Sequence, residues 1–214
     1  MNYFIGIDPS INSTGLCIQK YDGDEKVSEY FVIVKPADNK KDESKWLSKK
    51  EQHAEESIYS LQYCFYTHYD ISKENDDAHQ SEYAKSQNLI SCAKTIKEIV
   101  RRYTNDNAEN IYIVIEGISY GSVKRTKSIF DLAGLNYLIR EKFIIPDSRY
   151  VFTIVTPSEI KKFASGNGNC NKDIMVSLFT TIHPSYQIVP KLDDISDAFF
   201  MSNYAKEIYE KREK

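Results

Sequence analysis

At 214 residues the chain suits one domain with room for an insertion rather than two full domains, and a chain of that size buries about 70% of its unfolded surface without disulfides or metal staples. A formal charge of -3 and a pI of about 5.9 exclude a highly basic, nonspecific nucleic-acid coat, while leaving room for local basic patches. No apolar run approaches the roughly 18 residues that span a bilayer, and the start is not basic-then-apolar like a signal peptide, so the chain reads as soluble, intracellular and cytoplasmic, with no membrane partner.

In chain order, Tyr3 to Asp8 is apolar and β-branched. A polar turn at Pro9 to Thr14 leads into Gly15 to Tyr21, and Asp22-Gly23-Asp24 makes a second turn before Val27 to Lys35. This predicts three short antiparallel strands. Leu89, Ala93, Ile96, Val100 and Tyr103 form one helical stripe, which predicts a helix over Glu82 to Tyr103. Ile111 to Glu116 then reads as a strand covered on both faces. A helix is expected over Thr126 to Phe143, a fifth strand over Tyr150 to Thr156, and helices over Asn171 to Ile182 and Asp194 to Tyr209. The predicted order is βββαβαβαα. Cys17, Cys64, Cys92 and Cys170 form no Cys-x-x-Cys pair, and the histidines lack zinc-type spacing, so neither disulfides nor zinc are expected.

Residues 36–81 interrupt this pattern with a charge-rich stretch followed by Tyr59, Tyr63, Phe65, Tyr66 and Tyr69. A structureless loop of that length would be unusual. The segment is read as an insertion at the sheet edge, partly helical around Trp46 to Phe65. Its aromatics suit a small satellite core, or stacking on bases or a second subunit.

Four carboxylates stand out by position: Asp8 ends the first strand, Glu116 ends the fourth, and Asp194 and Asp197 open the last helix. Adjacent parallel strands lie about 4.8 Å apart, so Asp8 and Glu116 converge if strands one and four are neighbours. A three-residue offset puts Asp194 and Asp197 on one helix face. Like charges gathered this way raise one another's pKa values, and divalent metal relieves the conflict. Mg²⁺ prefers oxygen ligands, and a pair of such ions serves phosphodiester cleavage. Taken singly, each acid also suits a plain structural role, Asp8 as a turn former and Asp194 or Asp197 as a helix N-cap.

Phe4-Ile5-Gly6-Ile7-Asp8-Pro9-Ser10 with Thr14-Gly15 resembles the opening of the RuvC family of Holliday-junction resolvases, in the ribonuclease H-like superfamily. Val114-Ile115-Glu116 resembles its second motif. Thr156-Pro157-Ser158-Glu159-Ile160-Lys161, Gly166-Asn167-Gly168 and Asn171-Lys172 are similar to its most distinctive segment, and Asp194-Ile195-Ser196-Asp197-Ala198 to its last. The resemblance covers the chain apart from 36–81. It implies a single α/β nuclease domain over 1–214 with a five-stranded mixed sheet of order 3-2-1-4-5. It further implies Asp8, Glu116, Asp194 and Asp197 as catalytic, metal-binding acids for two Mg²⁺ ions, with Mn²⁺ able to substitute. Lys161 and Lys172 fall on two family lysines near the cut phosphate, Lys172 being counted with the catalytic set. The implied protein is a homodimeric crossover junction endodeoxyribonuclease of DNA recombination and repair, acting on four-way junctions or other branched DNA.

Two departures bear on substrate. Ser10 stands where bacterial members usually carry Gly, which points to a phage-type member. The family's junction-wedge aromatic aligns with Ser119, so Tyr120, one residue later, is the candidate replacement. Lys124 and Arg125 just beyond it are expected to contact DNA phosphates. The insertion leaves the sheet at the edge remote from the Asp8 and Glu116 strands and is expected to influence substrate choice rather than chemistry. Competing readings are a nuclease for flaps, forks or RNA/DNA hybrids, an actin-like ATPase or sugar-kinase fold, for which the chain lacks a second domain, and a noncatalytic nucleic-acid-binding module.

Overall fold

The computed structural model describes residues 1–37, 40, 41, 43–45, 47, 48, 61–69, 78–104, 108, 110–118, 126–144 and 149–212. Its centre is a six-stranded sheet built from β1 (Asn2–Asp8), β2 (Thr14–Asp22), β3 (Glu25–Pro36), β4 (Leu61–Tyr66), β5 (Asn110–Glu116) and β6 (Tyr150–Val155). The order across the sheet is β4-β3-β2-β1-β5-β6. β2 runs antiparallel to both β1 and β3, and the pairs β1/β5, β5/β6 and β3/β4 are parallel. The C-terminal tips of β1, β3, β4, β5 and β6 therefore share one end of the sheet.

Leaving out β4, the order is the expected 3-2-1-4-5. Of the segment read as partly helical around Trp46 to Phe65, the described residues 43–45, 47 and 48 are helical, but its end is a correction: Leu61–Tyr66 is a strand, in register with Phe31 to Pro36. Of its aromatics, Tyr63 and Tyr66 join the main core rather than a satellite one, and Tyr69 is exposed. Tyr66 is buried in the cluster on one face of the sheet, and Tyr63 packs on the cluster of the other. Trp46 and Tyr59 lie outside the described residues.

The helices are α1 (Ala78–Tyr103), α2 (Thr126–Ile144), α3 (Pro157–Ser165), α4 (Lys172–Ile182) and α5 (Leu192–Arg212), with a 3₁₀ turn at Pro184–Ile188. Only α3 was not expected. Thr156 caps it, its hydroxyl accepting from the Glu159 N–H at 3.3 Å while the Glu159 carboxylate accepts from the Thr156 N–H at 2.6 Å. Reciprocal capping of this kind satisfies two donors at once. Pro157 at the first helical turn suits a position whose N–H has no intrahelical partner.

Strand alternation sorts the apolar residues onto two faces. Tyr3, Ile5 and Ile7 of β1 point with Ile111, Ile113 and Ile115 of β5 into a cluster closed by α1 and α2. Phe4 of β1 and Tyr112 and Val114 of β5 point the other way, toward α5, which crosses β1, β2 and β5. Continuing the same alternation puts Gly6, Asp8 and Glu116 on the α5 face. No helix among the described residues is long and apolar enough to cross a membrane. The cysteines are free thiols.

The seat of α5 is set by two glycines. A Cβ on Gly6 would lie 1.9 Å from the Ala198 carbonyl oxygen and 2.8 Å from the Met201 Cβ, and one on Gly15 would lie 2.2 Å from the Asp194 carbonyl oxygen. Neither distance is possible, so the helix backbone rests directly on the strands only because both positions lack side chains. Gln19 of β2 secures the far end, its amide donating to Asn203 Oδ1 on α5 at 2.9 Å and to Glu29 at 2.8 Å. Gly6→Ala should therefore lift α5 and destabilise the fold by about 3 kcal/mol, the upper part of the usual overpacking range. Urea unfolding of the variant against the wild type measures it.

Candidate active site

Asp8 and Glu116 occupy the tips of two adjacent parallel strands, one register step beyond the Ile7/Ile115 pair. Two contacts fix the second tip. The buried Asn136 side chain of α2 donates to the Glu116 carbonyl at 2.7 Å, and the Gly117 N–H donates to the Val155 carbonyl at 2.7 Å. Asp194 and Asp197 sit in the first turns of α5. Asp194, Ala198, Met201 and Ala205 are buried in the stripe by which α5 meets the sheet. The glycine seat thus brings acids from α5 to the tips of β1 and β5.

The electrostatics show how closely they are gathered. Asp8 keeps partial access to solvent at its strand tip, yet surrounding protein raises its pKa well above the ordinary carboxylate value, and Glu116, Asp197 and Asp194 raise it further. Burial also raises Glu116, against a hydrogen bond with Asp8 and the charges of Lys172 and Lys161. That bond between two carboxyl groups requires one of them to carry a proton. Asp197 is raised to about 7, first by burial and then by Glu116, with Lys172 opposing. Asp194 is raised to about 6, first by burial, with the adjacent Ser13 hydroxyl opposing. Ser13 Oγ and Asp194 Oδ2 are both buried, and neither has a formed hydrogen bond among the described residues.

Lys172 opens α4, whose N-cap Asn171 accepts from the Ile174 N–H at 3.0 Å. Burial alone would lower the Lys172 pKa, but Asp193, Asp197 and Asp8 outweigh it and the net shift is upward. Its ammonium lies 3.2 Å from Asp193 Oδ2, with the lysine 64% and the aspartate 38% exposed. Pairs that open to solvent contribute under ~1 kcal/mol, so Lys172 can leave Asp193 for a phosphate at little cost. Lys161 lies on α3, half-buried, close enough for its charge to act on Glu116.

The expected residues Asp8, Glu116, Asp194, Asp197, Lys161 and Lys172 are thus gathered at one end of the sheet. Tyr120, Lys124 and Arg125 lie outside the described residues, as does Ser119. Four participants were not singled out from sequence: Ser13 beside Asp194, Asn136 behind Glu116, Asp193 against Lys172, and Tyr66, whose hydroxyl donates to the Ile11 carbonyl at 3.1 Å. Only Asp193 carries a sequence signal, as the neighbour of Asp194.

The donor set is oxygen-only, which suits a hard divalent cation. The buried Asp194 Oδ2, with no hydrogen-bond donor among the described residues, is the clearest point at which such a cation fits. No three acidic, histidine or cysteine side chains among the described residues close on a single point as they stand. What the acids share is a negative space in which each one resists ionisation.

No protein-family model and no curated protein matches the sequence. Among solved structures the chain is similar to Thermus thermophilus RuvC, with a TM-score of 0.55 and 11% identity over 97% of this chain and 96% of that one. T. thermophilus RuvC in complex with a Holliday junction substrate matches at a TM-score of 0.45 and 13% identity, over 97% and 93% of the two chains. The yeast mitochondrial Holliday junction resolvase Ydc2 matches at 0.45 and 13%, over 95% and 83%. The fold is RuvC-like and ribonuclease H-like, with β4 added at one edge.

The raised acid pKa values make the site a source of instability when no divalent ion is present. For Asp197 the folded value of about 7 lies above the ordinary aspartate value of 3.8. Between those values the folded chain holds more protons than the unfolded one, so this contribution to stability is full at low pH and is lost as pH rises through the window. In chelator, Asp197→Asn should therefore melt a few degrees above wild type at about pH 8, a gain of at least ~1 kcal/mol. The gain should vanish near about pH 4. Thermal scans of both proteins across that range check the sign.

Proposed function

We propose that the chain is a metal-dependent, structure-selective endodeoxyribonuclease that hydrolyses phosphodiester bonds in branched DNA, four-way junctions above all. The observation that carries this reading is the convergence of Asp8, Glu116, Asp194 and Asp197 at the tips of β1 and β5, with Lys172 and Lys161 alongside. Four acids whose pKa values are all raised serve no purpose as a bare ion cluster, and they suit Mg²⁺, or Mn²⁺ in its place. Bound there, a pair of such ions supplies positive charge for the attacking water and the leaving oxygen. Asp8 and Glu116 hold the strand side of the site, and Asp194 and Asp197 the helix side. Lys172, released from Asp193, and Lys161 supply point charges to the scissile phosphate and to the charge that develops on it.

Two cuts in strands of like polarity need two sites, so the working unit is proposed to be a homodimer. Supporting this reading, Phe130, Tyr137 and Ile144 of α2 recur at seven-residue steps and are 75%, 64% and 58% exposed. A seven-residue apolar repeat is the spacing by which two helices pack along a common seam. Tyr137→Lys is expected to convert the dimer to monomer while preserving the fold, read by sedimentation. A wild type that is monomeric both free and on junction DNA counts against this arrangement.

The activity is tested with labelled four-way, three-way, flap, fork, duplex and RNA/DNA hybrid substrates in Mg²⁺ or Mn²⁺. The junction should be cut fastest. A preference for flap, fork or hybrid would keep the nuclease and change its substrate. Asp8→Asn, Glu116→Gln and Asp197→Asn should each reduce cleavage to background while DNA binding survives, and near-wild-type rates in any two of them would refute the site. Lys172→Ala should slow cleavage by ~10²-fold, the usual effect of removing one preorganised charge, with little change in melting temperature.

A further inference from the structure

The inserted strand reaches the same end of the sheet as the carboxylates. It lies beyond β3 and β2 from β1, as expected laterally, but β3 and β4 run parallel to β1, so Pro36 and Tyr66 end beside the β1–β2 loop. Tyr66 is 4% exposed, and its hydroxyl donates to the Ile11 carbonyl in the middle of that loop at 3.1 Å. The loop joins Asp8 to Ser13 and Thr14, and Ser13 faces Asp194.

The loop's own hydrogen bonds shape it, and its far end is also met by Cys92 of α1 at the Thr14 side chain, which leaves its middle for Tyr66 to hold. The Ser10 N–H donates to Thr14 Oγ1 at 3.1 Å, and the Thr14 hydroxyl donates to the Ser10 carbonyl at 2.9 Å, both within the turn. On its outer side Ile11 and Asn12 border a cleft of about 160 Å³, walled also by Pro36, Tyr66, Asn88 and Leu89. Packing leaves the loop room to move into that space. Tyr66, by contrast, is held at two points. Its carbonyl accepts from the Ala37 N–H at 3.0 Å, and three residues on, the buried Asn88 of α1 grips Tyr69, accepting from its N–H at 2.7 Å and donating to its carbonyl at 3.1 Å.

We propose that Tyr66 is a positioning residue for the carboxylate site: its hydroxyl ties the β1–β2 loop to the inserted strand and so holds Asp8 and Ser13 in working register with α5. This rests on the nuclease reading given above, and it assigns the insertion a part in building the site in addition to any influence on substrate choice. The restraint runs from α1 through Asn88 and Tyr69 to Tyr66, and from Tyr66 through Ile11 to the metal-binding end of β1. Groups that orient metal ligands from outside the ligand set change affinity or rate by about tenfold or more when removed.

Tyr66→Phe keeps the ring and deletes the tether. Three measurements on the full chain test it: hydrogen–deuterium exchange of the residue 10–14 amides in metal-free protein, Mn²⁺ affinity by titration, and kcat and KM on a four-way junction. Exchange in the loop should quicken several-fold and Mn²⁺ affinity should fall by about tenfold. The kcat should fall with KM unchanged, and the melting temperature should move little. Tyr63→Phe, one turn of the pleat away and directed to the opposite face, is the control for general loosening of β4, and it should leave the loop amides as they are. Unchanged loop exchange and Mn²⁺ affinity in Tyr66→Phe, or equal changes in Tyr63→Phe, would overturn the proposal. A wild type that binds Mn²⁺ yet cuts no substrate would sink the nuclease reading alone, because exchange and affinity still decide the role of Tyr66.

Discussion

The close contact between α5 and the strands at Gly6 and Gly15 is the constraint from which the rest of the site follows. Side chains at those two positions would keep the helix backbone away from the sheet. Without them it settles against β1 and β2, and its first turns come level with the tips of β1 and β5. The chemistry then depends on a packing distance. Asp194 and Asp197 are separated from Asp8 by most of the chain, and nothing local to either segment brings them together. The Gln19 bridge to Asn203 and Glu29 holds the opposite stretch of the same contact, so the helix is pinned along its length rather than at one end.

That geometry sets stability against function. Burial raises all four acids, and Glu116, Asp194 and Asp197 each raise at least one of the others, so the folded chain is least comfortable when they are ionised. The rest of the structure must supply the margin. It does so with two apolar clusters on opposite faces of the sheet and with aromatic contacts such as Phe31 edge-on to Tyr186 at 5.1 Å and to Phe179 at 5.6 Å. Each such pair adds about 0.5–1.5 kcal/mol beyond its buried area.

Much of this was legible in the sequence, and the reason is periodicity. The strands ending in Asp8 and Glu116 announce themselves by apolar runs that stop at an acid, and the acids of α5 by a three-residue offset. The strand order was implied by the resemblance to the RuvC family rather than by any pattern of the residues themselves. β4 was hidden because Leu61-Gln-Tyr-Cys-Phe-Tyr66 has no clean alternation, and because its partner β3 is reached across a long insertion, a pairing that no local pattern encodes. α3 was overlooked although Thr156-Pro-Ser-Glu159 carries a full capping box, since those residues were read for their chemistry alone. Asn136 and Tyr66 act through backbone carbonyls, Glu116 and Ile11, and a contact to a carbonyl leaves no mark on the sequence of the residue that receives it.

The place of α5 in the chain has a consequence for synthesis. Every described strand and the other described helices precede it, so on a ribosome the sheet emerges before the residues that complete the carboxylate set. Domains form as units during translation, at roughly 5–20 residues per second. Until Leu192–Arg212 has emerged and docked, a nascent chain presents Asp8 and Glu116 beside an open groove at Gly6 and Gly15, with half of its acids missing. The site proposed above is thereby incomplete for as long as α5 has not docked, and it forms only when the helix closes on the two glycines.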